Sequence, residues 1–91
     1  MLKTIHFSEY FQYRTNLRGF ELAKIKDILR YSEERYFDTV THRMVVVGKH
    51  DDYLVMIPYE ENENVITPVT IHATTRQQIK FRVQAGRFIY E

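Results

Sequence analysis

Four histidines, His6, His42, His50 and His72, are the side chains of this 91-residue chain whose ordinary pKa lies near neutrality, so they are the first candidates for moving a proton. No two are spaced to ligate a metal from one helix face, none is ringed by carboxylates, and there are no cysteines. A zinc centre and a thiolate nucleophile therefore have no support, and no cofactor is expected. Phosphate-loop and dinucleotide glycine motifs and the Gly-x-Ser-x-Gly elbow are also missing, which removes nucleotide-dependent chemistry and the common serine hydrolases. What remains is a set of cations, hydroxyls and imidazoles suited to an anion. Tyr10, Arg14 and Arg18 are spaced four apart, and on a helix they form one ladder along which two guanidinium groups could address a single anion. His72, Thr74 and Arg76 alternate, so a strand end could bring an imidazole, a hydroxyl and a guanidinium together. Each set also has a plainer explanation: arginine stems lying along the surface, and a helix cap beside a solvent-facing histidine.

The charge balance sharpens this. The formal net charge is only +1, yet Glu60, Glu61 and Glu63 cluster ahead of a stretch, Ala73 to Tyr90, that carries Arg76, Lys80, Arg82 and Arg87 and no acid. Such a basic segment attracts a phosphate backbone or an acidic protein by the same long-range field, unless it is simply a solvated face. Hydrophobic residues at 44% and charged residues at 27% place the chain among folding domains and outside the disordered class. The length suits one domain over residues 1–91 with a core of modest stability, which leaves room for a homo-oligomer or a bound partner. Met1 to Phe7 lacks the apolar core of a signal peptide, and no run approaches the roughly 20 apolar residues of a membrane span. The cytoplasm is the expected location, with no membrane partner.

The elements that must position these residues follow from periodicity. Ser8 caps a helix from Glu9 to Arg18, with Phe7 stapled to Phe11, a stripe of Tyr10, Tyr13 and Leu17, and Gly19 at the end. Leu22, Ile25, Ile28 and Leu29 predict a second helix over Glu21 to Tyr31. Beyond Ser32 the period shortens toward two. Arg35 to Val40 and Arg43 to Gly48 read as a hairpin around Thr41 and His42, Lys49 to Asp52 as a turn, and Tyr53 to Tyr59 as the next strand. After an acidic turn, Val65 to Ala73 reads as one strand, with Val65, Thr67, Val69, Ile71 and Ala73 on its more apolar face and His72 on the other. Pro58 and Pro68 argue for edges, strand ends or bulges. For Arg76 to Gln84 the alternation of Ile79, Phe81 and Val83 favours a strand, whereas the Thr-x-x-Gln capping box favours a helix, which we prefer. The fold class is α+β: two N-terminal helices on an antiparallel sheet of about four strands, with a short C-terminal helix.

Three segments carry a resemblance: Tyr10-x-x-x-Arg14-x-x-x-Arg18-Gly19, then Val45-Val46-Val47-Gly48-Lys49, then Thr70-Ile71-His72-Ala73-Thr74-Thr75-Arg76-Gln77-Gln78. Together, and in element order over nearly the whole chain, they resemble the BrnT-like proteins of the RelE/ParE superfamily of toxin-antitoxin toxins. The resemblance implies a small acidic antitoxin as partner and RNA, or the ribosome carrying it, as target. It also implies a metal-free ribonuclease, which needs a base for the 2′-hydroxyl, cations for the charge developing on phosphate and an acid for the leaving oxygen. By that likeness Arg14, Arg18 and Arg76, extended by Lys80 and Arg82, hold phosphate, and Lys49, His72 or Tyr59 transfers protons. In the family a histidine commonly stands four residues before the first arginine of helix one. Here that position is Tyr10, which favours the rival reading of a non-catalytic module that uses its basic C-terminal face to hold a protein or RNA. A gyrase-directed inhibitor is a third reading, for which no residue is distinctive.

Overall fold

Three consecutive valines decide the architecture. In the computed structural model, which describes residues 2–91, Val45, Val46 and Val47 are all buried. Successive strand side chains point to opposite faces, so a strand that buries three in a row must be covered on both. Val46 packs with Phe11, Ile25, Leu29, Val55 and Ile57 in one core, and Val45 and Val47 pack with Tyr36, Ile79 and Phe88 in a second. The chain is an α+β protein whose sheet lies between two N-terminal helices and a C-terminal one.

In chain order the elements are β1 (Thr4–Ile5), α1 (Glu9–Leu17), α2 (Leu22–Tyr31), β2 (Arg35–Asp38), β3 (Arg43–His50), β4 (Tyr53–Glu61), β5 (Val65–Pro68), β6 (His72–Thr74), α3 (Arg76–Gln84) and β7 (Phe88–Tyr90). The sheet has seven strands rather than about four, in the order β1-β5-β4-β3-β2-β7, with β6 also beside β4. It is mixed, because β1 runs parallel to β5 while the other pairs are antiparallel. Two of the three extra strands are short end segments, β1 with two residues and β7 with three, which carry too little alternation to be read in sequence, and the third comes from a break in the strand expected over Val65 to Ala73. No helix among the described residues is long and apolar enough to cross a membrane.

Local chemistry explains the helices. Ser8 accepts the Phe11 N–H at 3.0 Å, the Phe7 and Phe11 rings stack, and Gly19 takes a positive φ of 76° just past the end of α1. The stripe read from Tyr10, Tyr13 and Leu17 is on the wrong face: all three are exposed, and α1 buries Phe11 and Thr15 instead. In α2, Ile25, Ile28 and Leu29 are buried, as their spacing requires of a helix lying on a sheet. Its C-terminus is closed by Arg35, which donates to the carbonyls of Leu29 and Ser32 at 2.6 and 3.1 Å. Thr75 accepts the Gln78 N–H at 3.1 Å, so the capping box prevails and Arg76–Gln84 is a helix with Ile79 as its buried residue.

The expected single strand from Val65 to Ala73 is broken, and the break matters for function. Pro68, Thr67 and Ile66 pair with Tyr59, Glu60 and Glu61, whereas His72, Ala73 and Thr74 pair with Met56, Val55 and Leu54. Between the two ladders Ile57 and Pro58 face three residues, Val69, Thr70 and Ile71, so the edge carries one residue too many, a bulge. Pro58 has no N–H to offer there; its carbonyl accepts from Val69 N–H at 2.8 Å. One extra residue reverses the side-chain alternation. Ile66 and Pro68 therefore belong to the α1/α2 face, contrary to the alternation read from sequence, and His72, opposite Met56, belongs to the α3 face.

Gly48 sets the distance between α2 and the sheet. A Cβ at this position would lie 2.8 Å from Ile28 Cγ2, a clash that forces the Ile28 side chain or the helix carrying it to move. Gly48→Ala is expected to destabilise the protein by about 1–3 kcal/mol, the usual cost of overpacking a close-packed core. A urea unfolding midpoint equal to that of the parent would contradict it.

Candidate phosphate-binding site around His72

The bulge and the two flanking helices assemble the site. Arg18 donates through Nη1 to the Ile71 carbonyl at 2.7 Å, which ties the end of α1 to the residue before His72. One turn earlier, Arg14 donates to the Tyr10 hydroxyl at 2.7 Å, with its guanidinium 5.7 Å from that ring. A cleft of about 250 Å³ lies here between α1 and the bulge, lined by Tyr10, Arg14, Arg18, Val69, Thr70 and Ile71. From the other side, α3 contributes Arg82, whose guanidinium lies 5.7 Å over the Phe88 ring. Neither Arg14, Arg18 nor Arg82 has a carboxylate partner among the described residues, so three cations remain free to meet an anion.

His72 is exposed at the centre of this charge. Partial desolvation, and then the charges of Arg18, Arg82 and Arg14, hold its imidazole below the usual value of 6.5. The neutral ring, able to accept a proton, is thus the dominant form at neutral pH. A proton acceptor in a positive field is suited to act on a hydroxyl adjacent to a phosphate.

The structure does not bring the other expected residues into this group. Arg76 is engaged elsewhere: its Nη1 donates to both carboxylate oxygens of Glu34 at 2.7 Å. Glu34 also accepts from the Tyr36 hydroxyl at 2.8 Å, and burial together with that carboxylate pushes the Tyr36 phenol up to about 12. Arg76, paired with Glu34, is not among the charges that bear on His72, whereas Arg18, Arg82 and Arg14 are. Tyr59 is a core residue, 2% exposed, with its hydroxyl accepting from Arg35 Nη1 at 3.0 Å, so substrate has no access to it for proton transfer. Lys49 is exposed but stands opposite Leu54, which in turn stands opposite Thr74, so all of β4 separates it from β6. Lys80 is exposed on α3, one turn from Arg76 and on a different side of the helix from Arg82.

Of the other histidines, His50 is buried and accepts the Glu21 N–H at 2.8 Å through Nε2, which fixes the residue that leads into α2. His42 has a positive φ of 60° in the β2–β3 turn. Arg82 was legible as a candidate from the acid-free basic run around it, but that it rather than Arg76 bears on His72 was not. No family model matches the chain, and no curated protein and no solved structure is significantly similar to it.

Proposed function

We propose that this chain is the toxin-like member of a toxin-antitoxin pair and cleaves RNA without a metal at the His72 cluster. The observation that carries the reading is an exposed histidine on the bulged edge, beside the Arg18–Ile71 tie, whose imidazole is held below its usual value by partial desolvation and by the charges of Arg18, Arg82 and Arg14. In the reaction, His72 takes the proton of a 2′-hydroxyl, and the oxygen attacks the adjacent phosphorus. The bond to the 5′-oxygen breaks, leaving a cyclic phosphate and a 5′-hydroxyl. The guanidinium groups balance the charge that builds on the phosphoryl oxygens, and the proton lost from the 2′-hydroxyl is made up at the leaving oxygen by imidazolium or solvent. The partner is an acidic protein, because the same uncompensated cations that attract RNA also attract carboxylates.

The second reading, a module that binds without cleaving, is favoured by Tyr10. It stands where a histidine would and accepts a hydrogen bond from Arg14, so α1 carries a cation and a phenol but no imidazole. The experiment that separates the two is cleavage by purified protein with a chelator present, together with growth on expression without a partner. Chelator-resistant cleavage and growth arrest are expected. Arg82→Ala should reduce cleavage on the order of 100-fold by removing a transition-state donor. Arg76→Ala, outside the cluster, should leave the rate nearly unchanged. Intact free and ribosome-bound RNA with normal growth would overturn the ribonuclease reading in favour of the binding module.

A further inference from the structure

A second concavity adjoins the His72 cluster and shares Arg82 with it. On the outer side of α3 a groove of about 650 Å³ is lined by Gln77, Gln78, Phe81, Arg82, Ala85 and Arg87. Phe81 is 69% exposed; the buried contact of α3 is made by Ile79, so this aromatic ring is not needed by the core. Gln78 is held in place twice, by its N–H to Thr75 Oγ1 at 3.1 Å and by its Oε1, which accepts from Thr74 Oγ1 at 3.1 Å. Its Nε2 and the whole Gln77 amide have no partner among the described residues. Arg87 spends Nε and Nη2 on Asp38, which leaves Nη1 unengaged.

We infer that this groove is a nucleobase subsite for single-stranded RNA, in which an unpaired base stacks on Phe81 and offers its edge to the amides of Gln77 and Gln78. The inference rests on the RNA reading of the His72 cluster and adds to it the recognition of a nucleotide beside the reacting phosphate. Three features select this occupant. An exposed ring gives a base a π-face to lie on, which is how unpaired nucleotides are most often held. Amide groups supply donors and acceptors in pairs that match base edges. Cations suited to a backbone accompany the ring: Arg82 and Arg87 line the groove, and α3, which carries the ring, begins at Arg76, just past β6, the strand of His72. An apolar peptide finds little to bury there, since Phe81 and Ala85 are its only apolar contacts among the lining residues.

The test measures binding in a protein that cannot cleave. Fluorescence anisotropy of end-labelled RNA oligomers of about six nucleotides is recorded against the His72→Ala protein, with the same variant also carrying Phe81→Ala. Removing the platform should weaken binding about 5- to 100-fold, in line with the usual worth of one base–aromatic stack. Phe81→Tyr should restore it. An oligomer with the same phosphates but abasic sugars should bind weakly and equally to both proteins. Equal affinity of the parent and the Phe81→Ala protein for intact RNA would overturn the subsite, as would equal affinity of intact and abasic strands for the parent. The two readings can fail separately. A protein that leaves RNA uncut but still prefers intact over abasic strands keeps the subsite and loses the ribonuclease. One that cuts RNA with a KM indifferent to Phe81→Ala keeps the ribonuclease and loses the subsite. Phe81 is exposed, so an unchanged melting temperature is expected and accompanies each comparison.

Discussion

Replacing His72 by alanine is expected to lower RNA cleavage by about 100-fold or more, with folding unaffected. The size is that of losing a positioned general base. The side chain is exposed on a short edge strand, so truncating it opens no cavity in either core. Its pH profile should carry the signature of the surrounding cations. Because the imidazole is held below 6.5, the base form persists at neutrality, and the rate should fall only as pH drops through that lowered value. Arg18→Ala removes one of the charges opposing protonation, so the acid limb should move to higher pH while the rate also declines. Full activity of the His72→Ala protein, or an acid limb that stays put in the Arg18 variant, would remove His72 from the proposed mechanism.

The largest effect on stability is expected at Asp38, the last residue of β2, paired with Phe88 of β7. Its carboxylate is 3% exposed and receives the Val40 and Thr41 N–H groups at 2.9 and 3.3 Å, along with Arg87 Nη2 at 3.1 Å. These contacts end β2 two residues earlier than its sequence suggests and tie the turn to the segment leading into β7. Asp38→Ala strands two turn amides and a guanidinium, and we expect a loss of roughly 2–4 kcal/mol, below the full cost of breaking a buried pair because Arg87 reaches solvent. Burial by itself would raise the carboxyl's pKa, but Arg87 and the two amides outweigh it and hold the group below 3.8. With the folded value depressed, the contribution is complete above the unfolded value and is lost as pH falls through the folded one. Denaturant midpoints of parent and Asp38→Ala should therefore differ at pH 7 and converge in that acid range. Equal midpoints at pH 7 would mean that strand pairing alone secures the C-terminal edge.

Elements whose cause lies within one or two turns of chain were legible. The stripe Leu22, Ile25, Ile28 and Leu29 marks α2, Ser8 and Thr75 mark helix starts, and Gly19 marks a stop. The proline pair flagged an irregular edge, and Pro58 does lie opposite the bulge. His72 and the cations Arg14, Arg18 and Arg82 could be named as candidates because residue type alone limits what each can do.

Their grouping was a matter for the tertiary structure. Whether α1 buries Phe11 and Thr15 or Tyr10, Tyr13 and Leu17 depends on what the helix lies against, since both faces carry aromatic rings. Arg76 is captured by Glu34 across 42 positions, and Arg87 by Asp38 across 49; charge pairing over such distances leaves no periodic trace. The bulge at Val69–Ile71 is a mismatch between two strands, and neither strand encodes it alone. Residue types and short-range spacing determined which side chains could serve an anion and which segments are helical. The one-residue mismatch, a relation between strands fixed only when they pair, turned His72 away from the Pro68 face and toward α3, the helix that carries Arg82.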